Sequence, residues 1–138
     1  MKIFTIGYGG RHPSDFVTLL TEAGVRCVAD VREVPRGSMG SYTKAKTPDK
    51  GIEALLAPRA IEYRWLPELG NPWRKADGWE KNYRGRLKNE GKKRTEALLA
   101  LPRPFCLLCA EKDPADCHRS ILSDYLEEAW DGVKVEHL

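Results

Sequence analysis

The chain of 138 residues is one domain's worth of polypeptide, long enough to bury a real core, and its composition is that of an ordinary globular protein. Lys and Arg number 23 against 20 Asp and Glu, a formal charge of +3, so total charge by itself demands neither a nucleic-acid nor a membrane partner. Four cysteines without a secretory leader read as reduced intracellular thiols, and no apolar run approaches membrane-spanning length; a cytoplasmic protein is expected.

Lys2 to Ile6 reads as a first strand that breaks into Gly7-Tyr8-Gly9-Gly10. A helix opens at Pro13-Ser14, carries Phe16, Leu19, Leu20 and Ala23 as one apolar stripe, and stops at Gly24. A glycine-rich turn between strand and helix lets the backbone N–H groups of Gly9 and Gly10 approach an anion, or is simply a tight turn. Its spacing fits neither a dinucleotide fingerprint nor a P-loop, so neither cofactor is supported. Tyr8, at the same strand end, is a candidate for proton transfer.

Arg26 to Val31 reads as the second strand. Asp30 and Arg32 share one of its faces, where an open parallel sheet meets its ligand crevice. They form a structural ion pair there, or Arg32 and Arg36 grip a carboxylate or phosphate with the guanidinium fork. The segment after Arg36 is rich in glycine and serine, as binding loops on a rigid scaffold often are.

Thr47 to Ala57 contains a short helix, and Ile61 to Leu66 is the third strand. Its exit, Pro67-Glu68-Leu69-Gly70, delivers Glu68 toward the same edge, as a general base or as a partner for Arg32 or Arg36. From Asn71 to Arg94 the chain is basic, with Trp73, Trp79 and Tyr83 interleaved. Positive charge with aromatic faces suits a nucleic-acid groove; the more ordinary reading of the same residues is a solvated helix with its aromatics buried as anchors. Thr95 to Leu101 continues that helix until Pro102 and Pro104 stop it.

Phe105 to Cys109 is a short apolar run suited to a strand buried on both faces. Asp113 as cap and Pro114 at the first position start a helix at about Pro114, with Asp116 in the capping-box place. On such a helix Cys117, His118 and Arg119 fan out beneath the strand end, roughly 100° apart, which sets Cys117 and His118 at odds as a thiol and its base. A scaffold reading makes His118 a core histidine, Cys117 a small hydrophobe and Arg119 a partner for Glu111.

A zinc site from the C-x2-C of Cys106 and Cys109 is disfavoured, because residues three apart on a strand face opposite ways. Cys109 and Cys117 as a redox pair is the more plausible arrangement of these thiols. Asp113 and Asp116 at the start of this helix would repel an anion, which directs any phosphate to Gly9, Gly10, Arg32 or Arg36. Val133 to Leu138 supplies a last strand.

Strand and helix in alternation define a single α/β domain over residues 1–138. Its sheet is open and mostly parallel, with about five strands and helices on both faces. The first functional expectation is an enzyme acting on a small phosphorylated, carboxylated or nucleotide-like substrate at the C-terminal edge of that sheet. Tyr8, Glu68, Cys117 and His118 are its candidate catalytic groups. Gly9, Gly10, Asp30, Arg32, Arg36, Cys109, Glu111 and Arg119 are its candidate substrate-binding groups. The second is a nucleic-acid-binding module using residues 73–94. Neither a cofactor, a metal nor a membrane partner is expected.

Several pieces of the chain, in order, resemble the domain-of-unknown-function 488 family. They are Thr5-Ile6-Gly7-Tyr8-Gly9, Gly24-Val25, Asp30-Val31-Arg32 with Pro35, Ile61-Glu62-Tyr63, and Pro67-Glu68-Leu69-Gly70. Leu108-Cys109-Ala110-Glu111, Cys117-His118-Arg119 and His137 complete the set. The resemblance implies a compact α/β domain with a polar edge built from those motifs.

Overall fold

The structure, a computed structural model, describes residues 1–37 and 40–138; Ser38 and Met39 of the expected glycine- and serine-rich loop lie outside the described residues. Five strands form one parallel sheet: β1 (Lys2–Gly7), β2 (Cys27–Asp30), β3 (Glu62–Trp65), β4 (Phe105–Cys109) and β5 (Lys134–His137). Their spatial order is β3-β2-β4-β1-β5. The helices among the described residues are α1 (Pro13–Glu22), α2 (Gly51–Leu56), α3 (Trp79–Arg94) and α4 (His118–Ala129). No helix among them is long and apolar enough to cross a membrane.

Strand alternation divides the core into two layers. Phe4, Ile6, Val28, Cys106 and Leu108 pack with Phe16, Val17 and Leu20 of α1 and Ile52 and Leu56 of α2. Ile3, Ala29, Phe105, Leu107 and Cys109 pack on the other side with Tyr83 and Leu87 of α3 and Ile121, Leu122 and Leu126 of α4. The chain moves outward from β1 through β2 to β3 with helices on one face. It returns through β4 to β5 with helices on the other, as right-handed crossovers require. β4 therefore sits between β2 and β1, with its following helix on the opposite face from theirs. That reversal opens a crevice at the carboxyl ends of β2 and β4, where ligands bind in such sheets.

Two elements differ from the sequence expectation. The apolar periodicity of the last helix extends upstream to Cys117, but the backbone does not follow it. Asp113 caps only a 3-10 turn, Pro114–Asp116, through its Oδ1 to the N–H of Ala115 at 2.9 Å. Cys117 is then extended (φ −133°, ψ 146°), and α4 begins at His118. The helix before β4 ends at Arg94, because the Thr95 hydroxyl turns back to the Gly91 carbonyl at 2.7 Å and a 3-10 stretch, Glu96–Ala100, follows. The short helix expected between Thr47 and Ala57 is present as Gly51–Leu56.

The end of β1 lies against the loop leaving β4. The N–H groups of Tyr8 and Gly9 donate to the carbonyls of Cys109 and Ala110. A side chain at Gly7 would place its Cβ 1.7 Å from the Glu111 carbonyl oxygen, so this approach requires the absence of one.

Candidate functional site

A cleft of about 220 Å³ occupies the crevice. Its floor comes from β4 and the start of α4, with Cys109, Glu111, Cys117 and His118; one wall is the loop after β2, with Arg32 and Arg36. The opposite wall is the loop between β3 and α3, with Arg74, Lys75 and Trp79. Lys75 takes a left-handed backbone (φ 68°), a conformation that costs a non-glycine residue about 1 kcal/mol or more. The loop is held from both ends. Asn71 accepts from the Trp73 N–H, and the Arg86 guanidinium lies over the Trp73 ring at 4.9 Å.

Asp30 fixes Arg32. Its carboxylate accepts from the Arg32 N–H at 3.1 Å, from Nε at 2.8 Å and from Nη2 at 2.6 Å, and also from the Tyr63 hydroxyl. The pair is buried, with Asp30 at 0% and Arg32 at 5% exposure, and the Arg32 guanidinium lies 5.3 Å from the Tyr8 ring centre. Burial disfavours the guanidinium charge, but Asp30 more than compensates and holds it above its ordinary pKa. With the Nε/Nη2 edge committed, Nη1 is left buried with no partner among the described residues.

His118 and Cys117 meet at the cleft floor. A carbonyl can only accept, so the 2.6 Å contact from His118 Nε2 to the Val31 carbonyl puts the ring proton on Nε2. Nδ1 then presents a lone pair 3.6 Å from Cys117 Sγ. The expectation of side chains fanned 100° apart does not apply, because Cys117 is an extended residue ahead of the helix. Burial holds His118 below its ordinary pKa, which favours the neutral ring. Cys117 also stands at the N-terminus of α4, where unpaired N–H groups and the helix dipole favour a thiolate.

Cys117 is joined to Cys109 as a disulfide, whereas Cys27 and Cys106 are free and buried. Burial pushes the Cys27 thiol up to about 11 and the Cys106 thiol higher still, so neither is poised to react. Cys106 and Cys109 face opposite layers, as the alternation argument required.

Arg119 is wholly buried and acts as a spoke beneath the cleft. Its donors reach Thr5 Oγ1 (3.2 Å), Cys109 Sγ (2.9 Å), and the carbonyls of Glu111 (2.6 Å) and Lys112 (3.0 Å). It meets the backbone of Glu111 rather than its carboxylate, which instead pairs with Arg74 at 3.2 Å.

The structure thus brings together Arg32, Arg36, Cys109, Glu111, Cys117 and His118. Asp30, Arg119 and Tyr8 stand immediately behind them. Glu68 lies elsewhere, exposed beside Glu90, Lys93 and Arg94. Gly9 and Gly10 are not in the cleft lining, and the Gly9 N–H is spent on Ala110.

Arg74, Lys75 and Trp79 were hidden within the basic segment. Their signal is the stretch from Asn71 to Gly78, a turn-rich run between strand and helix that ought to be read apart from the helix it precedes. Of the aromatics, Tyr83 is buried with its hydroxyl on the Leu69 carbonyl at 2.8 Å, and Trp73 and Trp79 are half-buried against the core.

The arrangement can do two things chemically. A thiol with an oriented imidazole can form a nucleophile, and two sulfurs with an imidazole and a carboxylate can ligate a soft cation. No curated protein and no solved structure matches the chain. The model of the family described as Domain of unknown function DUF488 matches residues 12–126, from the start of α1 into α4, and the chain belongs to that family.

Proposed function

We propose that the protein is an enzyme acting on a small anionic substrate, phosphorylated, carboxylated or nucleotide-like, bound in the cleft between the ends of β2 and β4. The observation that carries this reading is Arg32 Nη1. It belongs to a cleft-lining guanidinium, buried and rigidly held, whose remaining donor has no acceptor among the described residues. A buried donor left unpaired costs about 1–3 kcal/mol, a cost that an incoming oxyanion removes. Arg36 and Arg74 are exposed cations on opposite walls, suited to closing on the same anion, and Trp79 offers an aromatic surface beside them. The reacting groups are those on the floor: Cys109, Glu111, Cys117 and His118.

A thermal-shift panel tests this reading, with inorganic phosphate, nucleoside monophosphates, sugar phosphates, small dicarboxylates and short oligonucleotides. It is run on the wild type, Arg32→Lys and Arg36→Ala. Lysine keeps a charge opposite Asp30 but lacks the second fork. A ligand at one hundred times its Kd stabilises the folded state by about 2.7 kcal/mol, on the order of 10 °C for a domain of this size. The expected result is a shift with a small anion in the wild type that Arg32→Lys abolishes and Arg36→Ala reduces. No response to any small anion, or a response only to oligonucleotides that survives Arg32→Lys, overturns it.

A further inference from the structure

The sulfur ligands of the disfavoured C-x2-C would have been Cys106 and Cys109, but the fold assembles a different donor set. Cys109 ends β4, Glu111 follows two residues later, and Cys117 precedes α4. One ligand atom from each lies within 4.8 Å of the other two. Glu111 Oε2 is 3.6 Å from Cys109 Sγ, and His118 Nδ1 is 3.6 Å from Cys117 Sγ. With metal–sulfur bonds of about 2.3 Å and metal–nitrogen or metal–oxygen bonds of about 2.0–2.2 Å, the sulfur-to-nitrogen and sulfur-to-oxygen edges of a tetrahedral zinc site are about 3.5–3.6 Å and the sulfur-to-sulfur edge about 3.8 Å. The Glu111–Cys109 and His118–Cys117 distances match those edges, and the two sulfurs, bonded to each other here, have to part on reduction before an ion can enter.

We infer that the reduced site is a metal centre, in which the thiolates of Cys109 and Cys117 and the Glu111 carboxylate hold a thiophilic divalent cation of the zinc class, with His118, outside that trio but with Nδ1 beside Cys117, closing in as the fourth donor.

The surrounding groups are those such a centre needs. The Val31 carbonyl takes the His118 Nε2 proton, fixing the tautomer that leaves Nδ1 bare. A backbone carbonyl in this place is the usual second partner of a metal-bound imidazole. Arg119 donates to Cys109 Sγ, so a positive charge already faces the sulfur that must be anionic. Two sulfurs, one imidazole and one carboxylate select a borderline-soft ion over magnesium or calcium, which prefer oxygen alone.

Metal and disulfide exclude each other. Two equivalents of a small thiol, or one of a dithiol, supply two electrons and two protons to the Cys109–Cys117 bond, ending as a disulfide and leaving two S–H groups. The incoming cation then displaces both protons to solvent. The inference rests on reading the cleft as the working site; with all four tetrahedral positions taken by protein donors, the ion would fix the shape of the cleft floor rather than meet the bound anion.

The test is Zn2+ uptake by equilibrium dialysis of the full chain, reduced and stripped of metal, alongside Co2+ titration followed optically. The expected result is a single ion per chain, with a thiolate-to-cobalt charge-transfer band and tetrahedral visible bands. Oxidation to the disulfide should prevent uptake. Cys109→Ser, Cys117→Ser and His118→Ala should each weaken binding by about tenfold or more, while Cys106→Ser leaves it unchanged.

Absence of uptake by reduced wild type, with both thiols shown free by titration, overturns the inference. So does affinity unaltered in Cys117→Ser or His118→Ala. The anion panel, repeated on the metal-free protein, separates the two readings. An anion response without zinc uptake removes the metal centre alone, and zinc uptake without an anion response removes the anionic substrate alone.

Discussion

Asp30 shows how much of the cleft depends on a residue outside its lining. Every polar contact of its carboxylate goes to Arg32 or Tyr63, so its work is to hold a guanidinium still. Removing it leaves Arg32 buried with no counter-charge, and Asp30→Ala should destabilise the protein by about 3–5 kcal/mol in urea unfolding. Tyr63→Phe removes one neutral donor and should cost about 0.5–1.5 kcal/mol in the same experiment.

The sequence placed Asp30 and Arg32 on one face and left open whether they pair or bind. Deciding between those readings needs the position of Tyr63, which reaches Asp30 from β3 across the sheet. The thiol and imidazole were misjudged for a related reason. Helical periodicity continues through Cys117, and nothing local reveals that Asp113 caps a turn too short to become the helix.

Among elements, α3 is the one that its sequence describes least well. Its polar and apolar residues are so weakly segregated that the buried line is only Tyr83, Leu87 and Gly91, four apart. At Gly91 the Tyr125 ring of α4 packs against the bare backbone. A Cβ there would stand 2.5 Å from Cζ of Tyr125, whereas one at Gly85 meets nothing within 4 Å.

The two glycines should respond oppositely to the same change. Gly85→Ala gains helix propensity and should stabilise by about 0.5–1 kcal/mol. Gly91→Ala has the same gain but crowds the Tyr125 ring, and should destabilise by about 1–2 kcal/mol net. In a Tyr125→Ala background, Gly91→Ala should turn stabilising, a sign change that a double-mutant cycle of melting temperatures would register. The strands were far more legible. All five were found to within a residue or two at each end: β1, β2 and β4 because a strand buried on both faces leaves little choice of composition, and the mostly exposed edge strands β3 and β5 from the turns that bound them.

At the scale of the whole molecule, the sheet order decides what meets what, and it is not written in any single segment. Only when β4 returns between β2 and β1 do Arg32, Cys109 and the loop of Arg74 become neighbours. The same pairing puts β5 beside β1, where the Thr5 hydroxyl accepts from Arg119 Nε and shares a hydrogen bond with His137 Nδ1 at 2.5 Å.

Burial, and after it the charge of Arg119, hold His137 below its ordinary pKa, against Asp124 and Glu127 of α4, which pull the other way. The unfolded chain therefore takes up this proton first as pH falls. The stability associated with the neutral ring should be complete above the unfolded-state value of about 6.5 and decline below it. Urea unfolding from pH 8 to 5 should show that decline, and His137→Gln should make it shallower.

The bare backbone at Gly7 has a consequence for anyone who would remake this protein. Because the Glu111 carbonyl occupies the space of a missing side chain, the strand and the loop that bears the chemistry are one rigid part rather than a frame with an exchangeable insert. A loop transplanted from a relative would have to arrive with its own β1, and a library that varies residues 109–112 against a constant first strand would search mostly sequences whose two halves no longer mate.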